Sequence, residues 1–213
     1  TKETSPIEPS NNYEKSKWMQ EQIALELYRK YGLPVTVMRP ATIYGPRGRY
    51  GSIIPIFMLA KGELRAIPGS GKTMGAFVHV KDVVSSALFL ARKKEAVGEA
   101  YNIADDSHYT NEELLLYAAE LFGVEIRKFH IPASAINLRA WWSEWTAKLK
   151  GKKPVLERDA VKYLFHNYWL DNSKIKGLGY KLIYPDVKEG LKETIRWYKD
   201  CLLYTSDAAD EED

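Results

Sequence analysis

The stretch from Tyr13 to Arg39, YEKSKWMQEQIALELYRKYGLPVTVMR, constrains the fold more than any other. Within it Trp18, Ile23, Leu27 and Tyr31 recur at helical spacing, with Met19, Ala24 and Tyr28 beside them, while Glu14, Gln20, Glu21, Glu26 and Arg29 take the other side. Gly32 stops such a helix and Pro34 prevents its return. Val35, Thr36, Val37 and Met38 then form a β-branched, apolar run, the pattern of a strand buried on both faces of a parallel sheet. The fold class is therefore α/β.

Residues four apart lie on one helix face, so Tyr13 and Lys17 point the same way. A phenol, with a pKa of about 10, is a poor base at neutral pH, but a fixed ammonium favours its anion. At ~4 Å and an effective dielectric of ~20, one positive charge contributes roughly 4 kcal/mol, or about 3 pKa units. A tyrosine tuned in this way takes a proton from a carbinol as hydride leaves the carbon, or gives one to a carbonyl being reduced. The same spacing recurs at Tyr184 and Lys188. There Pro185 sits where a helix would begin, which puts Tyr184 outside the helix and off its lysine's face.

Charge and cysteine content narrow the remaining chemistry. The chain carries 31 basic and 28 acidic side chains. Five of the acids lie in residues 201–213, leaving 31 against 23, or +8, for residues 1–200. That last segment, CLLYTSDAADEED, breaks from the amphipathic pattern before it and reads as a non-native tail. It holds the sole cysteine, Cys201, so neither a disulfide framework nor thiol chemistry is expected. No apolar run is long enough to cross a bilayer and no signal peptide is visible, which makes a cytoplasmic location the expectation. Neither a metal site nor a nucleic-acid partner is expected.

Arg39 to Arg47, RPATIYGPR, leaves the C-terminal end of the strand, where ligands of open α/β sheets collect. Arg47 and Arg49 offer fork-shaped donors to an anionic group. Ser52 to Gly62 reads as a short helix with Pro55 in its first turn. Gly69 to Thr73, GSGKT, copies the end of a phosphate-binding P-loop. The first glycine of that pattern would fall at Ala66, however, and MGAFVHV beyond it reads as strand rather than helix. His79 in this strand is either a pocket group or a hydrogen-bonded core histidine.

Lys81 to Lys94 reads as helix, Glu99 to Asp105 as a core strand, and Thr110 with Glu113 as a capping box opening a helix that Gly123 ends. Glu125 to Ile131 has strand character. From Pro132 a helix carries Leu138, Trp142, Trp145 and Leu149 in one stripe, widened by Trp141 and flanked by Arg139, Lys148, Lys150, Lys152 and Lys153. The favoured reading is a lid or packing helix of a substrate lobe; a membrane-surface helix is the other. Pro185 and Asp186 start a last helix with Leu191, Ile195 and Tyr198 inward.

Five blocks, EPSNNYEKSKWMQEQ, YGLPVTVMRPATIYGPR, FVHVKDVV, EAYNIAD and LDNSKIKGLGYKLIYPDVKEGLKETIRWY, in this order, resemble the extended short-chain dehydrogenase/reductase family, which includes NAD-dependent epimerases and dehydratases. The resemblance runs from Glu3 to Lys199. It implies an incomplete Rossmann-type parallel sheet, its N-terminal half missing, with a smaller C-terminal substrate-binding lobe. Residues 1–110 would be the C-terminal part of the NAD(P)-binding domain interleaved with substrate-lobe segments, and residues 111–200 mainly substrate-binding lobe. The Gly-rich turn and a catalytic Ser or Thr are absent from the sequence, so a fragment inactive by itself is expected.

The resemblance also assigns roles. Tyr13 becomes the proton donor or acceptor, and Lys17 its partner and a holder of the nicotinamide ribose. Backbone groups near Pro40 and Ile43 contact the nicotinamide, with NAD or NADP as cofactor. Arg47, Lys72 and His79 are the substrate-binding candidates. The family pattern G-x-G-x-x-x-R-x-F-V-x-V-x-D is matched at Gly69, Gly71, Phe77, Val78, Val80 and Asp82, but Gly75 stands where an arginine pairs with a nucleotide sugar's phosphate. Residues 157–164, ERDAVKYL, resemble the 3β-hydroxysteroid dehydrogenase and dihydroflavonol-reductase branch. The expected reaction is alcohol/carbonyl interconversion on a small, mainly apolar, sterol- or flavonoid-like substrate. Nucleotide-sugar epimerisation or dehydration is the alternative, and a non-catalytic NAD(P) sensor a third reading. A homodimer is compatible with the resemblance.

Overall fold

The computed structural model describes residues 1–48, 54–151, 154, 161 and 165–207. Arg49, Ser52, Lys152, Lys153 and all of ERDAVKYL except Val161 lie outside the described residues.

Helix α1 (Asn12–Tyr31) begins where Asn11 caps it, its Oδ1 accepting from the Glu14 amide at 2.9 Å. It ends at Gly32, whose φ of 68° is the left-handed conformation that side chains resist. Strand β1 (Val37–Pro40) follows, then β2 (Thr42–Tyr44), α2 (Ile54–Ala60), β3 (Ile67–Pro68), β4 (Phe77–His79) and α3 (Val80–Leu90). After a 3-10 turn come β5 (Ala100–Ile103), α4 (Asn111–Phe122), β6 (His130–Ile131), α5 (Ala133–Leu149), α6 (Ser173–Gly177) and α7 (Val187–Asp207). The capping box forms as expected: Thr110 Oγ1 accepts from the Glu113 amide at 3.2 Å, and Glu113 Oε2 accepts from the Thr110 amide at 2.7 Å. Helix α7 runs on past Cys201 to Asp207.

Among the described residues the three strand pairings are parallel. β1 pairs with β5, Val37 opposite Ala100; β2 pairs with β4, Thr42 opposite Phe77; β3 pairs with β6, Ile67 opposite His130. The Asp105 amide donates to the Phe77 carbonyl at 2.8 Å and joins the first two ladders. Parallel strands with helices between them give the α/β class. β6 keeps only the last two residues of the strand pattern over Glu125–Ile131, because the strand it pairs with in parallel, β3, begins only at Ile67.

Ala41, Val78, Leu90, Tyr101, Ile103 and Ile175 form a core around the first ladders. A second cluster of Tyr44, Leu114, Val187, Leu191 and Tyr198 binds α4 and α7 to the strands, and Leu59, Leu115 and Ile195 extend it to α2. Gly190 is needed there, since a Cβ on it would lie 2.2 Å from the Tyr44 hydroxyl. Two expectations change. β1 is half-buried rather than buried on both faces, because among the described residues it pairs along one edge only. α1 has no buried residue, and its Trp18, Met19, Ile23 and Leu27 are exposed. Helical spacing puts those side chains on one face but does not supply what covers it.

Candidate active site

The first turns of α1 carry Tyr13 and Lys17. The Lys17 ammonium lies over the Tyr13 ring, 5.6 Å from its centre, and donates a long hydrogen bond to Gln20 Oε1 at 3.5 Å. Tyr13 is 67% exposed, so phenol and ammonium stand together on an open surface. A lysine has three protons to donate.

Sequence reasoning missed the bond that seats this helix. Arg39, in β1, grips Glu21 with Nε at 3.0 Å and Nη2 at 2.5 Å, and its Nη1 donates to the Glu3 carbonyl at 3.0 Å. Glu21 lies one turn beyond Lys17 on the same face. The pair therefore ties the Tyr13/Lys17 helix to the strand end that leads into Pro40. Both Pro40 and Ile43 are exposed at that end, Ile43 alternating in β2 with the buried Tyr44.

Arg47 is exposed in the turn after β2, where the Gly48 amide donates to the Gly45 carbonyl at 3.2 Å and the Tyr198 hydroxyl donates to the Gly48 carbonyl. Its φ of 67° is unusual for a residue with a side chain. Lys72 is exposed in the loop after β3. GSGKT leads into Met74 and strand β4 and opens no helix. The amides of Asn111 and Glu112 at the start of α4 donate instead to the carbonyls of Thr73 at 2.8 Å and Gly71 at 3.0 Å.

His79 does not share this open surface. It is fully buried, caps α3 by accepting from the Lys81 amide at Nδ1 (3.3 Å), and packs 4.2 Å from the Tyr184 ring and 5.2 Å from that of Tyr44. Burial lowers its pKa and so favours the neutral ring. Of the two roles the sequence left open, its position is that of the core histidine.

Two buried acids, Asp82 and Asp105, were given no role by the sequence. Asp82 accepts from the Tyr180 hydroxyl at 2.9 Å and from the amides of Ile183 and Tyr184 at 2.7 and 2.9 Å, clamping the loop that precedes α7. Its signal was the acid ending F-V-x-V-x-D at the start of a helix. Asp105 accepts from the Ser107 amide at 3.2 Å, while its buried Oδ2 has no partner among the described residues. Burial pushes its carboxyl up to about 7.

Residues 1–104 match the model of the NAD dependent epimerase/dehydratase family. That match takes in 104 of the 213 residues, and over them the chain is similar to this family. It is 25% identical over 197 residues to the N-acetyl-alpha-D-glucosaminyl-diphospho-ditrans,octacis-undecaprenol 4-epimerase of Escherichia coli O157:H7, covering 92% of this chain and 59% of that protein. It is 30% identical over 210 residues to the 3beta-hydroxysteroid-dehydrogenase/decarboxylase isoform 1 of Arabidopsis thaliana, covering 91% of this chain and 47% of that one. The solved UDP-glucose 4-epimerase of Thermotoga maritima with UDP-glucose superimposes with a TM-score of 0.71 at 27% identity, over 95% of this chain and 58% of its own. The chain thus spans about half to three-fifths of the length of the curated relatives it matches, and carries part of a Rossmann-type fold.

Proposed function

We propose that this chain takes part in NAD-dependent alcohol/carbonyl interconversion on a sugar carried by a diphosphate, as an epimerase or dehydratase does. The observation that carries the reading is the Lys17 ammonium held over the Tyr13 ring. The substrate differs from the apolar alcohol expected above. The family model, the Escherichia coli relative and the Thermotoga maritima structure, all named for epimerases and two of them for sugar diphosphates, support the sugar better.

When bound, NAD supplies the hydride acceptor for this chemistry. Lys17 and backbone groups near Pro40 and Ile43, all three residues exposed, would hold its nicotinamide end. Tyr13 Oη, as phenolate, accepts the hydroxyl proton while the carbon-bound hydrogen departs with its electron pair; the reverse step returns the proton to oxygen. Lys17 stabilises the phenolate by its charge. Arg47 would meet the diphosphate with its planar fork, and Lys72 with a point charge.

One observation keeps the apolar substrate as a second reading. Gly75 replaces the expected arginine, and a Cβ there would already lie 3.3 Å from the Phe77 ring and 3.6 Å from that of Tyr168. The test is nicotinamide absorbance together with product analysis over UDP-glucose, dTDP-glucose and a sterol alcohol. Conversion of a sugar nucleotide that disappears in Tyr13→Phe supports the proposal. Turnover of the sterol alone replaces it with the second reading, and NAD binding without any turnover leaves a sensor.

A further inference from the structure

Helix α5 is amphipathic in the inverted sense. Its buried residues are Ala140 and Ala147, whereas Leu138, Trp142, Trp145 and Leu149 are 67%, 57%, 46% and 68% exposed. At about 100° per residue, the two alanines share one side of the helix and the four large residues centre on the opposite side. Trp141, 45% exposed, stands on the shoulder of that stripe. The indoles adjoin, with ring centres 6.2 Å apart for Trp141 and Trp142 and 5.3 Å for Trp142 and Trp145. On the same wheel Arg139 and Lys150 flank the stripe on one side and Lys148 on the other. The sole acid of the helix, Glu144, falls on the alanine side.

A helix that buries methyl groups and turns three indoles outward has its large apolar face uncovered among the described residues. We propose that this face docks the protein on the surface of an anionic lipid bilayer. Indoles settle at headgroup level, where ring and N–H are both accommodated, and basic side chains on either flank meet anionic headgroups. Charge selects lipid over a second copy of the chain. Two such faces in contact would set the cations of one against those of the other, whereas an anionic surface neutralises them. No helix among the described residues is long and apolar enough to cross a membrane, so the contact is with the interface. The docking is independent of the reaction assigned to Tyr13, because it is measured without turnover.

The test mixes the full chain with large unilamellar vesicles of phosphatidylcholine, with or without phosphatidylglycerol, and follows sedimentation and quenching of tryptophan emission by brominated acyl chains. Binding is expected with phosphatidylglycerol, with quenching of the α5 indoles. It weakens roughly fivefold for each of Arg139→Gln, Lys148→Gln and Lys150→Gln. Trp142→Ser combined with Trp145→Ser weakens it by at least about tenfold while far-ultraviolet circular dichroism stays unchanged, since both side chains face outward. No binding, equal binding to neutral vesicles, or binding that survives the double substitution overturns the proposal. So does lipid-free self-association that the double substitution abolishes.

Discussion

Arg39 holds Glu21 through two nitrogens, Nε at 3.0 Å and Nη2 at 2.5 Å, and so couples the end of β1 to the helix face that carries Lys17. Both side chains are mostly out of water, at 23% and 11% exposure. Bidentate geometry fixes direction as well as distance, which a lysine in place of the arginine cannot reproduce. Arg39→Lys is expected to cost about 1–2 kcal/mol in urea unfolding. If the pair orients α1, the substitution also weakens NAD binding. Unchanged stability and unchanged NAD affinity would show the pair to be incidental.

Tyr13→Phe removes one oxygen from a side chain that is 67% exposed, so its effect on stability is expected to stay within about 0.5 kcal/mol. Turnover is expected to fall roughly 10²- to 10⁴-fold, the usual contribution of a positioned acid or base. Lys17→Met should also lower turnover, and in addition weaken NAD binding. Steady-state kinetics beside NAD titration separates the two roles.

Asp82→Ala strips the acceptor from the Tyr180 hydroxyl and the amides of Ile183 and Tyr184. Leaving these donors short of a partner is expected to cost about 2–4 kcal/mol. Hydrogen exchange should localise the loss to the segment from Tyr180 to the start of α7. Unaltered protection at Ile183 and Tyr184 would refute the clamp.

Asp105 gives a pH dependence of definite sign. Burial raises its carboxyl from 3.8 to about 7, so between those values the folded chain holds a proton that the unfolded chain has released. Its contribution to stability is complete below about pH 4 and is lost as pH rises through about 7. Asp105→Asn keeps the neutral shape and removes that loss. Its advantage over the parent chain is expected to grow between pH 5 and pH 8, to on the order of 2–4 kcal/mol. His79 runs the other way, since burial lowers its pKa and stability falls as it gains a proton in acid. The difference between the two chains isolates Asp105, and a difference that is flat with pH contradicts the assignment.

What the sequence determined by itself is local. Asn11 and Gly32 set the ends of α1, Thr110 with Glu113 opens α4, and Gly123 closes it at φ 73°. A side chain's bond to an amide three residues away, or a glycine's tolerance of positive φ, needs no distant neighbour. The four-residue interval between Tyr13 and Lys17 put them on one face for the same reason, and the block order around them pointed to the family. The tertiary structure decided the rest. Arg39 meets Glu21 across 18 positions, and Ile67 pairs with His130 across a longer gap still. The burial of His79 and Asp105 depends on the rings and strands packed around them. Periodicity marked the stripes of α1 and α5 as apolar faces, yet both are exposed. A 3.6-residue repeat states which side chains travel together; only the packed chain states whether anything meets them.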